Sequence, residues 1–364
     1  MARRGFNLVG RRAFNRSLNA MTRMALRVGA KTVKAALKSS PKARPAPKSR
    51  RAPVSSVRSK PEQSRATTSR SRSVGSTRAD GMSFGRAGSR RYCLYKPPGH
   101  LTGAAKPMVV MLHGCAQDAH AIAGVSQMNQ VAAREGFFVL YPEQDRVANL
   151  QGCWNWFATR TGQAQREADT VMAMVDQVCK AQHVDVNKLA LAGLSAGASL
   201  AALLATRQPL RFRAVALHSG VPPGAAQSQA TALRAMRATP SRGAPPLPAL
   251  PKGVRLPALL VIHGSADSVV APRNGLDAAL LWAACEGAKA RPPRTVQRGK
   301  RYPATVTDYK AAGRLVATHC LVNGLGHAWS GGAKGRAYSD PGGPDASKMI
   351  WTFALKQFAI LSNV

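Results

Sequence analysis

From about residue 90 onward the chain alternates short, continuously apolar runs with longer stretches in which apolar residues return every three or four positions. The first kind comprises Pro107-Met-Val-Val-Met-Leu112, Phe137–Tyr141, Leu189–Ala192, Ala214–Leu217, Ala258–Ile262 and Leu315–Leu321. A strand buried on both faces of a parallel sheet requires such continuity. The second kind predicts helices over 120–135, 164–182, 196–207 and 343–361. Within 164–182, Val171, Met174, Val175 and Val178 share one side, and the last stretch carries Ile350, Phe353, Ala354, Leu355 and Phe358. Tyr92-Cys-Leu-Tyr95 reads as an edge strand ended by Pro97-Pro98-Gly99. Strands alternating with helices predict an α/β fold, a mostly parallel central sheet with helices on both faces. In such sheets the chemistry sits beyond the carboxyl ends of the strands.

The amino-terminal quarter differs in pattern. Over 1–38, Phe14, Leu18, Met21, Ala25 and Val28 step by four and three with Arg between them, which describes a basic amphipathic helix or arm suited to an anionic or apolar surface. A transit-like or simply solvated arm fits the same residues. Residues 39–88 are Ser, Arg, Pro and Ala with almost no large apolar side chain, too little to offset chain entropy, so a disordered linker is expected there. The folded domain is therefore expected over 89–364. Charge sharpens this division. The formal net charge is +37, yet residues 1–90 carry 23 of the 53 Lys/Arg and only two of the 16 acids, Glu62 and Asp80. No apolar run of seven follows the opening Met-Ala-Arg-Arg, so no standard secretory signal is read, and no segment has the 18 or so apolar residues of a membrane-crossing helix.

The candidate chemistry falls where the sheet predicts it. Gly193-Leu194-Ser195-Ala196-Gly197 follows an apolar strand and opens a helix, the context in which G-x-S-x-G exposes a nucleophilic hydroxyl on a strained turn. A serine needs a base, and the base an orienting carboxylate. Asp267 lies just past the strand Ala258–Ile262, whereas Asp308 sits inside a polar strand-like stretch and Asp169 and Asp176 precede Ser195 on a helix. His327 follows the strand ending near Leu321, in a glycine-rich loop. His319 falls within that strand, and His113 and His263 each precede a Gly at a strand end, where they shape turns. Two N–H donors for an oxyanion are expected from Ala196 and from Cys115, in the loop Leu112-His-Gly-Cys-Ala-Gln117. Each such donor is worth about 3 kcal/mol. Gln117 either shapes that loop or is solvated.

Trp154 and Trp156, within Gly152-Cys-Trp-Asn-Trp-Phe157, and Trp329 beside His327 are either core or the walls of an apolar ester-binding cleft. In the second case Cys153 lies near Cys115 and the two can pair to pin both loops. Of the six cysteines, none has C-x-x-C spacing, so no thiolate metal site is expected. The segment 222–256, rich in Pro, Ala and Arg, reads either as a lid or as a disordered insertion.

Taken together, Leu112-His-Gly-Cys-Ala-Gln117, Cys153-Trp-Asn-Trp-Phe157, Gly193-Leu-Ser-Ala-Gly197, His263-Gly-Ser-Ala-Asp267 and Gly324-Leu-Gly-His-Ala-Trp-Ser-Gly-Gly332 resemble the polyhydroxybutyrate depolymerase family of esterases. The resemblance implies an α/β-hydrolase fold and a Ser195–Asp267–His327 triad. It also implies no metal or organic cofactor, and short-chain polyhydroxyalkanoate or similar ester substrates. Acetyl and feruloyl esters of plant polysaccharides are the alternative substrates within the family. An extracellular location is implied as well, against a cytoplasmic, granule-associated one. Such depolymerases usually carry a recognisable signal and often a carboxyl-terminal polymer-binding domain, neither of which is read here. The basic arm is expected to adsorb to a granule, a membrane surface or a polyanion in their stead. The competing reading from another class is a granule-surface or nucleic-acid binding protein with an inert hydrolase scaffold. It has the charge for non-specific binding but no base-reading motif. A peptidase or thioesterase would use the same three side chains.

Overall fold

A computed structural model describes residues 77–101, 103–238, 251 and 253–360. Eleven strands form one sheet. In chain order they are β1 (Thr77–Gly85), β2 (Gly88–Lys96), β3 (Lys106–Leu112), β4 (Phe138–Pro142), β5 (Val184–Leu194), β6 (Ala214–His218), β7 (Ala258–Gly264), β8 (Lys289–Ala290), β9 (Arg294–Val296), β10 (Ala304–Ala311) and β11 (Arg314–Val322). The order across the sheet is β1-β2-β4-β3-β5-β6-β7-β11-β10-β8, with β9 also on β10. The six central strands from β4 to β11 run parallel, and antiparallel pairs finish both ends. A two-stranded ribbon, β12 (Trp329–Ser330) with β13 (Ser339–Asp340), stands apart.

Period two along the strands divides the core. In β3, Met108, Val110 and Leu112 face one layer, with helices α3 (Gln163–Ala181), α4 (Ala196–Arg207) and α6 (Arg273–Cys285). Val109 and Met111 face the other, with α1 (Ala119–Ser126), α2 (Met128–Glu135) and α7 (Ala346–Ala359). Both faces are dry, which is why these strands read as unbroken apolar runs. A third, smaller apolar cluster joins α5 (Gln229–Met236) to Cys153, Phe157, Val221 and Val270 at the carboxyl ends of the strands.

Four expectations change. The sheet begins at Thr77, not 89: β1 and β2 form a hairpin whose two-residue turn, Arg86-Ala87, leads into Gly88 at φ +93°. The inward positions of β1 are Ala79, Gly81, Ser83 and Gly85, so its alternation is of small and large residues and leaves no hydrophobic signature. The rest of 39–88, and all of 1–38, lie outside the described residues. β2 is consequently not an edge strand, because it lies between β1 and β4. The helix expected over 120–135 is two, broken at Gln127 in the left-handed region (φ 55°). In 222–256, α5 packs onto the third cluster with a Ser228–Thr231 capping box, and 239–250 and 252 lie outside the described residues. Among the described residues no helix is long and apolar enough to cross a membrane.

Candidate active site

Ser195 stands between β5 and α4 with φ 55° and ψ −119°, a conformation most side chains avoid. The turn closes because its glycines carry no Cβ. One on Gly193 would lie 2.4 Å from the Gly197 carbonyl carbon, and one on Gly197 would lie 2.3 Å from the Leu112 oxygen. The Ser195 N–H donates to the carbonyl of His218 at the end of β6 (2.9 Å).

His327 arrives from the other side of the sheet centre. The loop after β11 is fastened to the loop after β7 by Ala266 N–H donating to the Leu325 carbonyl (3.0 Å) and Gly324 N–H donating to Ser265 Oγ (2.9 Å). A Cβ on Gly264 would sit 2.1 Å from the Leu325 oxygen, so this approach requires glycine there. The loop carries His327 Nε2 to 3.0 Å from Ser195 Oγ and Nδ1 to 2.8 Å from Asp267 Oδ2. A carboxylate only accepts, so Nδ1 carries the proton. In the neutral ring Nε2 is then the acceptor for the serine hydroxyl.

Asp267 is fully enclosed. Its Oδ1 accepts the N–H groups of Val269 and Val270, both at 2.9 Å, and its Oδ2 also faces His263 Nε2 at 3.4 Å. Burial opposes ionisation of this carboxyl, but the charge of His327 and the hydrogen bonds from His263 and His327 outweigh it. They hold the carboxyl well below the usual carboxylate range. His263 Nε2 lies 3.0 Å from the Val270 carbonyl, so it too must be a donor. The Asp308 carboxylate is elsewhere, paired with Arg294 and accepting from Thr318. Asp169 and Asp176 pair with Arg207 and Arg211.

The loop after β3 carries Cys115, disulfide-bonded to Cys153. Gln117 shapes this loop: its Oε1 accepts the Gly114 N–H at 2.9 Å, and its buried Nε2 has no partner among the described residues. His113 braces it from below, its Nδ1 on the Gly114 carbonyl (2.8 Å) and its Nε2 accepting the Gln144 N–H (3.1 Å). Burial pushes its pKa down. Among the described residues, neither Cys115 N–H nor Ala196 N–H has a hydrogen-bond partner. His319 lies buried in β11, which lowers its pKa to about 4.

The aromatic wall needs correction. Trp154 and Trp329 are 1% and 0% exposed, so neither borders a cleft. Trp154 donates to the His113 carbonyl (3.1 Å), and Trp329 donates to Ser347 Oγ (3.3 Å) and stacks on His218. Each indole N–H thus finds its partner inside the fold. Trp156 alone of the three is partly exposed, beside the third apolar cluster and Cys115. Sequence reasoning missed His218 altogether. A signal for it exists: β3, β6 and β7 each reach a His at their carboxyl end, in His113-Gly, His218-Ser-Gly and His263-Gly.

A doubly covered, largely parallel sheet, with a strained serine beyond β5 and a histidine loop beyond β11, defines an α/β-hydrolase fold. The chain is similar in structure to an acetyl xylan esterase from Aspergillus awamori (TM-score 0.54, 20% identity, 69% of this chain and 94% of that one). It is similar too to an S-formylglutathione hydrolase from Agrobacterium tumefaciens (TM-score 0.50, 16% identity, 79% and 95%). The model of the esterase PHB depolymerase family matches residues 90–282, and the chain belongs to that family. It is 32% identical to poly(3-hydroxyalkanoate) depolymerase C of Paucimonas lemoignei over 238 residues, 62% of this chain and 55% of that protein. It is 28% identical over 254 residues to a probable acetylxylan esterase A of Aspergillus clavatus, 62% and 79% respectively. The chain thus spans little more than half the length of the depolymerase it matches.

Proposed function

We propose that this protein hydrolyses carboxylic esters through an acyl-enzyme on Ser195, with His327 as general base and Asp267 holding the imidazole. The observation that carries the reading is the unbroken chain from Ser195 Oγ to His327 Nε2 (3.0 Å) and from His327 Nδ1 to Asp267 Oδ2 (2.8 Å). His327 takes the hydroxyl proton as the serine oxygen attacks the ester carbonyl, whose π electrons move onto oxygen. The resulting oxyanion accepts from Cys115 and Ala196 N–H. As the tetrahedral carbon collapses, the alcohol oxygen leaves with the proton from His327. Water, deprotonated by the same imidazole, then frees the acid and restores Ser195. Asp267 stays ionised throughout and stabilises the imidazolium.

For substrate, similarity to a poly(3-hydroxyalkanoate) depolymerase supports short-chain hydroxyalkanoate polyester, with Trp156, partly exposed against the third apolar cluster, as the aromatic that meets it. Similarity to acetylxylan esterase over 79% of that protein favours acetylated polysaccharide as the second reading. The Cys115–Cys153 disulfide supports the extracellular location, since such bonds persist in oxidising compartments. Hydrolysis of p-nitrophenyl butyrate that disappears in Ser195→Ala tests the chemistry, and an inert wild-type protein would leave the scaffold-only reading. Turnover of polyhydroxybutyrate film against acetylated xylan and a feruloyl ester separates the substrates.

A further inference from the structure

His218 ends β6, the strand between the one that carries Ser195 and the one that leads to Asp267. Its carbonyl accepts the Ser195 N–H at 2.9 Å, and its Nε2 lies 3.0 Å from the N–H of Ser330, three residues beyond His327. The next residue, Ser219, donates its own N–H to the Ile262 carbonyl in β7 (3.0 Å). One residue pair therefore touches the nucleophile turn, the base loop and the strand of the carboxylate. The ring is 1% exposed and stacked on Trp329, with centroids 5.1 Å apart and planes at 21°.

The hydrogen-bond pattern sets its state. A backbone N–H only donates, so Nε2 must be unprotonated and Nδ1 carries the hydrogen, directed at Ser219 Oγ 3.2 Å away. Burial, reinforced by the nearby His263 and His327, lowers the pKa of His218 to about 3, with Asp267 acting the other way. The ring thus stays neutral when His327 becomes an imidazolium. We propose that His218 is a positioning residue for the base: a neutral, tautomer-fixed acceptor that clamps the His327 loop, through Ser330, to the end of β6 on which the nucleophile turn rests. It contacts neither substrate nor the reacting atoms. The proposal rests on the assignment of His327 as base to Ser195.

The clamp can be opened without emptying its site. His218→Phe keeps the ring and the Trp329 stack but has no acceptor, while His218→Gln restores an acceptor near the Nε2 position. We expect kcat on p-nitrophenyl butyrate, per active site titrated with a fluorophosphonate, to fall about 10- to 100-fold in His218→Phe, as for a lost buried hydrogen bond that aligns the base. KM should change little. His218→Gln should recover most of the loss, and the pH midpoint of kcat/KM should move in His218→Phe but not in His218→Gln. A merely structural role would lower the titratable fraction and leave kcat per site and the midpoint alone, which overturns the proposal, as does equal loss in both variants. If His218→Phe fails to fold, His218→Asn, whose amide stops short of the Nε2 position, is measured in its place. Ser195→Ala separates the two levels: if it retains turnover the base assignment itself fails, whereas an inert Ser195→Ala beside a fully active His218→Phe refutes the clamp alone.

Discussion

The identity of the orienting carboxylate is open to a sharp test, because the hydrogen bonds of Asp267 dictate how an amide would sit in its place. In Asp267→Asn the side-chain oxygen must take the Oδ1 position, where two backbone N–H groups point at it from 2.9 Å. The amide NH2 then falls at the Oδ2 position, against His327 Nδ1–H and His263 Nε2–H. Donors would face donors, so His327 relaxes to the other tautomer, with the hydrogen on Nε2 and no lone pair for Ser195. Restoring the working tautomer forfeits a charge-assisted hydrogen bond and opposes buried donors, each about 2–3 kcal/mol. A total of about 5 kcal/mol is a several-thousand-fold loss in kcat at about 1.4 kcal/mol per tenfold. Steady-state hydrolysis of p-nitrophenyl butyrate by wild type, Asp267→Asn and Asp308→Asn measures this. Asp308→Asn, altering a pairing with Arg294 and a hydrogen bond from Thr318 away from Ser195, should stay within about twofold. Asp267→Asn within about tenfold of wild type, in a protein that Ser195→Ala inactivates, would refute the reasoning.

Three further outcomes are expected. Because His218 ionises near pH 3 in the folded protein against 6.5 ordinarily, its contribution to stability is complete above pH 6.5 and is lost as pH falls from 6.5 towards 3. The melting temperature followed by circular dichroism should drop through that window, and less steeply in His218→Gln; parallel slopes would contradict the burial argument. Cys153→Ser opens the loop closed by the Cys115–Cys153 bond, whose ends are 38 residues apart, costing about 4 kcal/mol by loop entropy and lowering kcat by freeing the Cys115 N–H. Denaturant unfolding and ester hydrolysis read both effects. Deleting residues 1–76, which spares β1, should leave p-nitrophenyl butyrate turnover within about twofold while weakening adsorption to anionic vesicles or polyester granules in sedimentation assays; unchanged adsorption to every surface would end the idea of an adsorbing arm.

The central strands were legible where both their faces are dry, so β3 to β7 and β11 each appear as an apolar run; the start of β5 at Val184 was not, because residues 185–188 are partly or fully exposed. The site was legible for a related reason. A strand that ends in the core must hand over to a loop at the sheet edge, and Ser195, Asp267 and His327 each stand within a few residues of such an end. What escaped had no apolar signal. β1 packs Ala79, Gly81 and Ser83 inward, and the break at Gln127 interrupts no apolar spacing, since Ile122, Val125 and Met128 continue it. α5 is short, and its burial rests on Ala232 and Ala235.

The tryptophans show the converse limit. Trp154 and Trp329 neighbour the site in sequence, where they fit either core or cleft wall; both lie beneath it, and their indole N–H groups bond to the frame that holds the loops. An aromatic beside a catalytic position has two uses, to face the substrate or to anchor the loop, and local sequence does not distinguish them. Burial does. The same applies to the histidines at the strand ends. His113, His218 and His263 meet the site as neutral or donor-fixed braces, each saturating backbone groups that a loop leaving the sheet would otherwise bury unpaired. Of these four, His327 is the one that joins the buried Asp267 carboxylate to the Ser195 hydroxyl, one through each ring nitrogen. That combination of partners, more than proximity to Ser195, supports its proposed role as the base.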